Sequence, residues 1–288
     1  MNASTPDTPI TLTQALAQAA ALGIARIDAQ MLLLHLCGQP THARAWLITH
    51  DGDRLSSAQT AQWQQWLQRR ADGEPVAYLT GHKCFYGLDL AVDGRVLDPR
   101  PDTETLVDWA LELLPDAAPG QPALRLADLG TGSGAIALAL QHALPAAEVW
   151  AVDASTDALA VAQANAARLQ LPLRFAHSHW LSALQGPFDA LVSNPPYIRD
   201  DDPHMPALRH EPRQALTSGA DGLDDIRHIV DAAPAYLRVG GWLLIEHGWD
   251  QAEAVRSLLA QRGFAQVQSR KDLAGIERAS GGQWPSVK

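Results

Sequence analysis

Asn194-Pro195-Pro196-Tyr197 carries more recognisable chemistry than any other stretch of this chain. It follows the apolar run from Phe188 to Ser193, which reads as a buried strand. The four residues therefore stand where that strand leaves its sheet, in the crevice where open α/β sheets bind ligands. Two consecutive prolines fix φ, remove two N–H donors and push the preceding residue away from helical geometry. Pro195 and Pro196 thus make a rigid elbow with free carbonyls, flanked by an amide and an aromatic ring. Such an elbow suits a flat NH2 group. The Asn194 side-chain oxygen and the Pro195 carbonyl can both accept from that group, and Tyr197 can cover one face of its plane.

A second constellation lies at Gly130-Thr131-Gly132-Ser133-Gly134, after the strand expected at 124–129. Its glycines permit a tight turn and a close backbone approach to a ligand. Asp153 closes the next strand, where a carboxylate suits the two hydroxyls of a ribose. Loop and acid together indicate an adenosine-containing cofactor. Gly130, Gly132 and Ala135 also satisfy a dinucleotide pattern, so the loop alone leaves nicotinamide and adenosyl cofactors open. The elbow separates them. Hydride transfer has no use for an amide-gripping site, whereas methyl transfer to a planar NH2 does. An amide nitrogen is a poor nucleophile, and accepting from both its N–H groups would hold it in line and stabilise positive charge developing on it. The methyl donor expected is S-adenosyl-L-methionine, with no metal.

The elements that must position these residues change character along the chain. Residues 10 to about 80 read as four short helices. Two begin at capping boxes, Thr11 with Gln14 and Ser56 with Gln59. Trp63, Trp66, Leu67 and Arg70 share a face of the fourth, and the tryptophan pair reads as core. Residues 81–98 suggest a β-hairpin linker turning at Asp93-Gly94. From residue 99 on, strands at 124–129, 148–153, 172–176, 188–193, 241–246 and 263–270 alternate with helices at 102–115, 134–143, 155–170, 222–237 and 249–261. That alternation predicts a mostly parallel, doubly wound sheet.

Composition narrows the class. The 288 residues are 47% hydrophobic and carry a net charge of −10. Residues 1–85 hold six acidic and six basic side chains, so the excess lies in 86–288. An acidic main domain speaks against nonspecific nucleic-acid binding. Cys37 and Cys84 lack metal-ligand spacing and read as reduced thiols. Met1 to Pro9 is polar, without a hydrophobic signal core, and no apolar run approaches a membrane span. A cytoplasmic protein is expected, and nothing demands more than a monomer.

On these motifs the chain resembles the bacterial peptide chain release factor glutamine methyltransferases, the PrmC/HemK family. The resemblance also rests on Gly73-Glu74-Pro75-Val76-Ala77-Tyr78-Leu79-Thr80-Gly81, Pro99-Arg100-Pro101-Asp102-Thr103-Glu104, Glu211-Pro212, Asp221-Gly222-Leu223, Glu246-His247-Gly248 and Glu277-Arg278. It implies a Rossmann-like class I S-adenosylmethionine-dependent methyltransferase domain with a seven-stranded sheet over 99–288. A small α-helical bundle over 1–80 would dock the substrate, a class 1 release factor. The implied reaction methylates the side-chain amide of glutamine in a Gly-Gly-Gln motif. Gly130, Thr131, Gly132, Ser133 and Gly134 would line the methionine part of the cofactor, Asp153 would hold the ribose, and Trp180 would pack near the adenine. Asn194 through Tyr197 would hold the glutamine, with Asn194 also near the cofactor. Residues 100–104 would close over the cofactor, Arg100 pairing with it or with Asp102 or Glu104. The family often has an acidic residue just before the tryptophan, where this chain has His179. Two rivals use the same elbow: a ribosomal-protein glutamine methyltransferase and an adenine-amino DNA or RNA methyltransferase. A third is a cofactor-binding module that acts by docking alone. Gly281-Gly282-Gln283 repeats the target tripeptide within the chain itself and reads as a turn in a closing hairpin.

Overall fold

The computed structural model describes residues 9–114 and 122–286. The polar N-terminus before Pro9 and the expected helix end at 115 lie outside the described residues. The chain divides into two compact units, Met1–His82 and Lys83–Lys288. No helix among the described residues is long and apolar enough to cross a membrane.

The first unit is helical: α1 (Leu12–Ala21), α2 (Arg26–Leu36), α3 (Arg44–Thr49), α4 (Ser57–Ala71) and α5 (Val76–Thr80). Both capping boxes form, each with reciprocal side-chain-to-backbone bonds at its first turn. Leu12, Leu32, Leu33, Trp63 and Leu67 make the centre of its core, with Trp66 beside them. Arg70 leaves that core and pairs with Asp28 at 2.9 Å. The fifth helix departs from the four expected. It is five residues long, too short to show a period, and runs from Pro75 to a left-handed Gly81.

A hairpin of β1 (His82–Phe85) and β2 (Leu88–Ala91) begins at the last residue of the first unit and opens the second. Its turn is Tyr86-Gly87, not Asp93-Gly94. A two-residue turn of this kind needs positive φ at both central positions, and Tyr86 (48°) and Gly87 (75°) supply it. Asp93 instead accepts from the Arg95 backbone and guanidinium. Residues 83–98 group with the second compact unit. Asn165, on helix α8 (Thr156–Leu169), bonds both the N–H and the carbonyl of Ala91.

The main sheet holds β3 (Arg125–Leu129), β4 (Glu148–Asp153), β5 (Arg174–His177), β6 (Phe188–Ser193), β7 (Leu237–Glu246), β8 (Ala265–Lys271) and β9 (Glu277–Gln283). Their spatial order is β5-β4-β3-β6-β7-β9-β8, and β9 runs opposite to the other six strands. Helices α6 (Glu104–Leu113), α7 (Ala135–Ala143), α9 (Asp224–Ala232) and α10 (Ala252–Arg262) complete the unit with α8. The helix expected to reach 237 stops at 232, and a short 3-10 turn containing Pro234 leads into a longer β7.

Strand β9 was unforeseen as a strand. Gly281 and Gly282 lie in its middle, between β7 and β8, and are not a turn. A Cβ at Gly281 would stand 2.6 Å from the Leu243 carbonyl and 2.9 Å from Trp109, and one at Gly282 would stand 2.8 Å from Phe264. Close approach of neighbours is therefore what requires glycine here. The Gln283 amide donates to the Gly240 carbonyl at 2.9 Å and accepts from Gln266 at 2.6 Å. The tripeptide is structural.

The order places β3 and β6 side by side at the point where the winding direction reverses. Leu129 pairs with Ser193 in register, and the Ser193 hydroxyl donates to the Leu129 carbonyl at 2.7 Å. The residues that follow, Gly130 and Asn194, leave the sheet together into the switch-point crevice.

Candidate active site

The glycine loop is shaped by its own backbone. Gly130 and Thr131 both donate to the Val152 carbonyl at 2.8 Å, which folds the chain back over the end of β4. Gly130 (φ 75°) and Gly132 (φ 54°) adopt left-handed conformations that other residues resist. Beneath the loop, Asp128 is fully buried. Its Oδ2 accepts from Thr131 at 2.6 Å and from the Ala137 N–H at 3.1 Å, whereas Oδ1 has no partner among the described residues. Burial pushes this carboxyl up to about 7, against the pull of those two bonds. Asp153 is raised by burial too, opposed by the N–H groups of Ser155, Gly132 and Ala154. Its bond to Gly132, 2.9 Å long, ties this acid to the loop.

Trp180 forms the wall opposite. Its backbone is left-handed (φ 52°), and a Cβ on Gly130 would come within 3.2 Å of its ring. The indole N–H donates to Asp225 Oδ1 at 3.1 Å, and the Ser218 hydroxyl donates to Oδ2 at 2.7 Å. His179 stacks edge-on against both Trp180 and His228.

The elbow is held from outside itself. Asn194 Nδ2 donates to Thr103 Oγ1 at 3.2 Å. The Tyr197 hydroxyl points to Glu246 Oε1 at 3.4 Å, and the Tyr197 carbonyl accepts from Gln251 Nε2 at 3.0 Å. Tyr197 and Ile198 donate to the Leu216 carbonyl. Burial raises the Tyr197 phenol, and Glu246 adds to the effect. Glu246 itself is pushed up to about 7 by burial, with the hydroxyls of Thr103 and Tyr197 pulling the other way.

A cavity of about 320 Å³ opens between loop, wall and elbow. Gly130, Thr131, Gly132, Ser133, Asp153, Trp180, Asn194 and Pro196 line it; Gly134, Pro195 and Tyr197 do not. Gly134 serves packing instead, since a Cβ there would press on Leu138 and Ala162 at 3.1 and 3.2 Å. Thr103 and Asp225 also line the cavity and were not singled out from sequence. Thr103 lies within the quoted Pro99–Glu104 motif, which was the available signal. Asp225 had none. Arg100 pairs with Glu211 and Asp98, not with Asp102 or Glu104. His247 is buried between the Gly248 carbonyl and Ser280, its pKa lowered by burial, as a structural residue would be.

Comparison with known proteins decides the family. Residues 103–262 match the model of the methyltransferase small domain, and residues 11–81 match that of the PrmC N-terminal domain. A release factor glutamine methyltransferase from Bordetella pertussis is 50% identical over 264 residues, spanning 90% of this chain and 95% of that protein. The chain belongs to the release factor glutamine methyltransferase family. The family member from Escherichia coli is 42% identical over 277 residues, 95% of this chain and 97% of that protein. At 16% identity, a methyltransferase from Pyrococcus furiosus shares the fold, with a TM-score of 0.55 over 77% of this chain and 99% of that one.

S-adenosylmethionine is the cofactor of this family and fold. The cavity fits it. Bare left-handed glycine backbone at 130 and 132 leaves a cradle, and a Cβ at 130 would close that cradle against Trp180. The half-buried carboxylate of Asp153 lies at one edge and an aromatic wall along the side.

Proposed function

We propose that this release factor glutamine methyltransferase acts on the side-chain amide nitrogen of glutamine in the Gly-Gly-Gln motif of class 1 release factors. The observation that carries this reading is the paired exit of Gly130 and Asn194 from adjacent strands, both lining one cavity. A cofactor cradle and an amide-gripping elbow are thus neighbours by register. When bound, S-adenosylmethionine supplies an electrophilic methyl group on a sulfonium. The chain's own residues bind and orient. Gly130 to Ser133 and Asp153 hold the cofactor with Trp180 as the wall, and Gly134 seats the helix behind them. With Nδ2 committed to Thr103, Asn194 has Oδ1 left to accept from the substrate NH2, with the Pro195 carbonyl as second acceptor. Pro196 keeps the elbow stiff and Tyr197 braces it. Two accepted hydrogen bonds align the nitrogen and stabilise positive charge as it develops there.

Residues 1–80 would dock the release factor and 81–98 would lead into the methyltransferase domain of 99–288. The match of residues 11–81 to a named N-terminal domain supports the first of these. A substrate that works in translation implies a cytoplasmic setting. The test is methyl transfer from labelled S-adenosylmethionine to a purified class 1 release factor, beside the same factor with its motif glutamine changed to alanine. Label on the first alone is expected. Label on neither, with cofactor still bound, would overturn the reading and point to ribosomal proteins or nucleic acid.

A further inference from the structure

Resting on that reading, we propose that Thr103 and Glu246 are positioning residues that set which way the Asn194 amide faces. An Asn side chain presents an acceptor on one side and a donor on the other. Only one of its two orientations can grip an NH2 group. The reverse would aim two donors at two donors.

The orientation follows from the partners. Asn194 Nδ2 meets Thr103 Oγ1 at 3.2 Å. A hydroxyl that accepts from an amide still has one proton to give. Thr103 is buried, at 4% exposure, so that proton must find an acceptor within the protein. Glu246 follows Ile245 as Asn194 follows Ser193, its partner in register, so the two leave neighbouring strands at one level. Glu246 is 2% exposed, with Oε1 at 3.4 Å from the Tyr197 hydroxyl and Oε2 without a hydrogen-bond partner among the described residues, and the Thr103 hydroxyl is one of the groups that act on it. An ionised carboxylate only accepts. Directed at Glu246, the Thr103 hydroxyl keeps its lone pairs for Nδ2, and Asn194 Oδ1 faces the cavity that Asn194 and Thr103 both line. Apo hydrogen bonds at such sites are often long and tighten in the substrate complex.

Protonation of Glu246 removes this one-way sense. The carboxylic acid can then donate to Thr103, and the Thr103 proton is free to turn toward Asn194 and stabilise the reversed amide. Four other groups bear on Glu246: the hydroxyls of Thr103 and Tyr197, the cationic Arg278, and the anionic Asp102. Arg278 favours the ionised acid and Asp102 opposes it.

The test uses the full chain with a release factor as substrate. Thr103→Val and Glu246→Gln should each lower kcat by about tenfold to a hundredfold, with cofactor affinity close to that of the parent and cooperative unfolding retained. The double variant should be no slower than the slower single, because both break one relay. Thr103→Ser should recover most of the loss. The parent's kcat should fall as pH drops through the Glu246 transition, and that limb should vanish in Glu246→Gln. Losses that multiply in the double variant, a Thr103→Val enzyme with parental kcat, or losses matched by cofactor affinity would overturn the relay.

If the parent itself does not methylate a release factor, the functional reading falls and the relay is judged on the protein alone. The Asn194 side-chain amide resonance, identified by its disappearance in Asn194→Ala, should move in Thr103→Val. It should titrate in the parent and not in Glu246→Gln. A resonance indifferent to both changes would overturn the proposal.

Discussion

The loop after β3 and the elbow after β6 leave the sheet at paired positions, yet they are held by different means. The loop is local. Backbone N–H groups, left-handed glycines and an acid 21 residues from Gly132 shape it. The elbow has two prolines for stiffness but takes its orientation from afar: Thr103, 91 residues from Asn194, and Glu246 and Gln251, 49 and 54 residues from Tyr197. A cofactor site that reads no side chain of its ligand can be built from backbone. A site that must present one acceptor in one direction needs side chains from several elements to fix it. Damage to the two regions should therefore separate in kinetics.

Asn194→Ala should give the largest separation. It removes one of the two acceptors proposed for the reacting nitrogen, and losses for such groups run to about a hundredfold to a thousandfold in kcat. Cofactor affinity measured by calorimetry should change far less. Equal loss of both would show that Asn194 serves chiefly the cofactor. A docking module would keep its function in this variant.

A matched pair of glycine substitutions sharpens the contrast. At Gly222 (φ 75°) a Cβ would lie 2.2 Å from the Tyr197 carbonyl and 2.8 Å from Gln251 Nε2. Gly222→Ala must displace the elbow's brace, so kcat should fall by about tenfold, or ~1.4 kcal/mol. At Gly130 (φ 75°) a Cβ would lie 3.2 Å from the Trp180 ring. Gly130→Ala should weaken cofactor binding by about tenfold, more than it lowers kcat at saturating cofactor. Interchanged outcomes would erase the distinction between the two regions.

The same contrast governs how much was legible in the sequence. The loop, Asp153 and the elbow announce themselves because each is a contiguous motif at a strand end. The alternation of periods also reveals the doubly wound sheet, and Thr11 and Ser56 mark their helices. What escaped is tertiary. Asp225 holds Trp180 across 45 residues, and neither residue's neighbours betray it. Arg100 pairs with the distant, buried Glu211 as well as with Asp98, rather than with Asp102 or Glu104. Strand β9 was hidden by glycines, which look like a turn until Trp109 and Leu243 are found where a Gly281 side chain would be and Phe264 where a Gly282 one would be. Tyr86 at positive φ displaced the hairpin turn from the more orthodox Asp93-Gly94.

The smallest effect to seek is in stability, where the two regions behave alike. Asp128 under the loop and Glu246 under the elbow both stand at about 7 in the folded chain, far above an ordinary carboxylate near ~4. Between those values the folded state keeps a proton that the unfolded chain gives up. The stabilisation from each group is therefore complete below about pH 4 and is lost as pH rises through about 7, by up to ~1.4 kcal/mol per pH unit per group. Denaturant melts of the parent and of Glu246→Gln from about pH 5 to about pH 8 should show the parent losing stability relative to the variant as pH rises. Catalysis, in contrast, needs Glu246 ionised to direct Thr103. Conditions that best stabilise the elbow's support are then those in which it orients Asn194 worst. A Glu246→Gln chain that follows the parent's stability at every pH would remove Glu246 from both accounts.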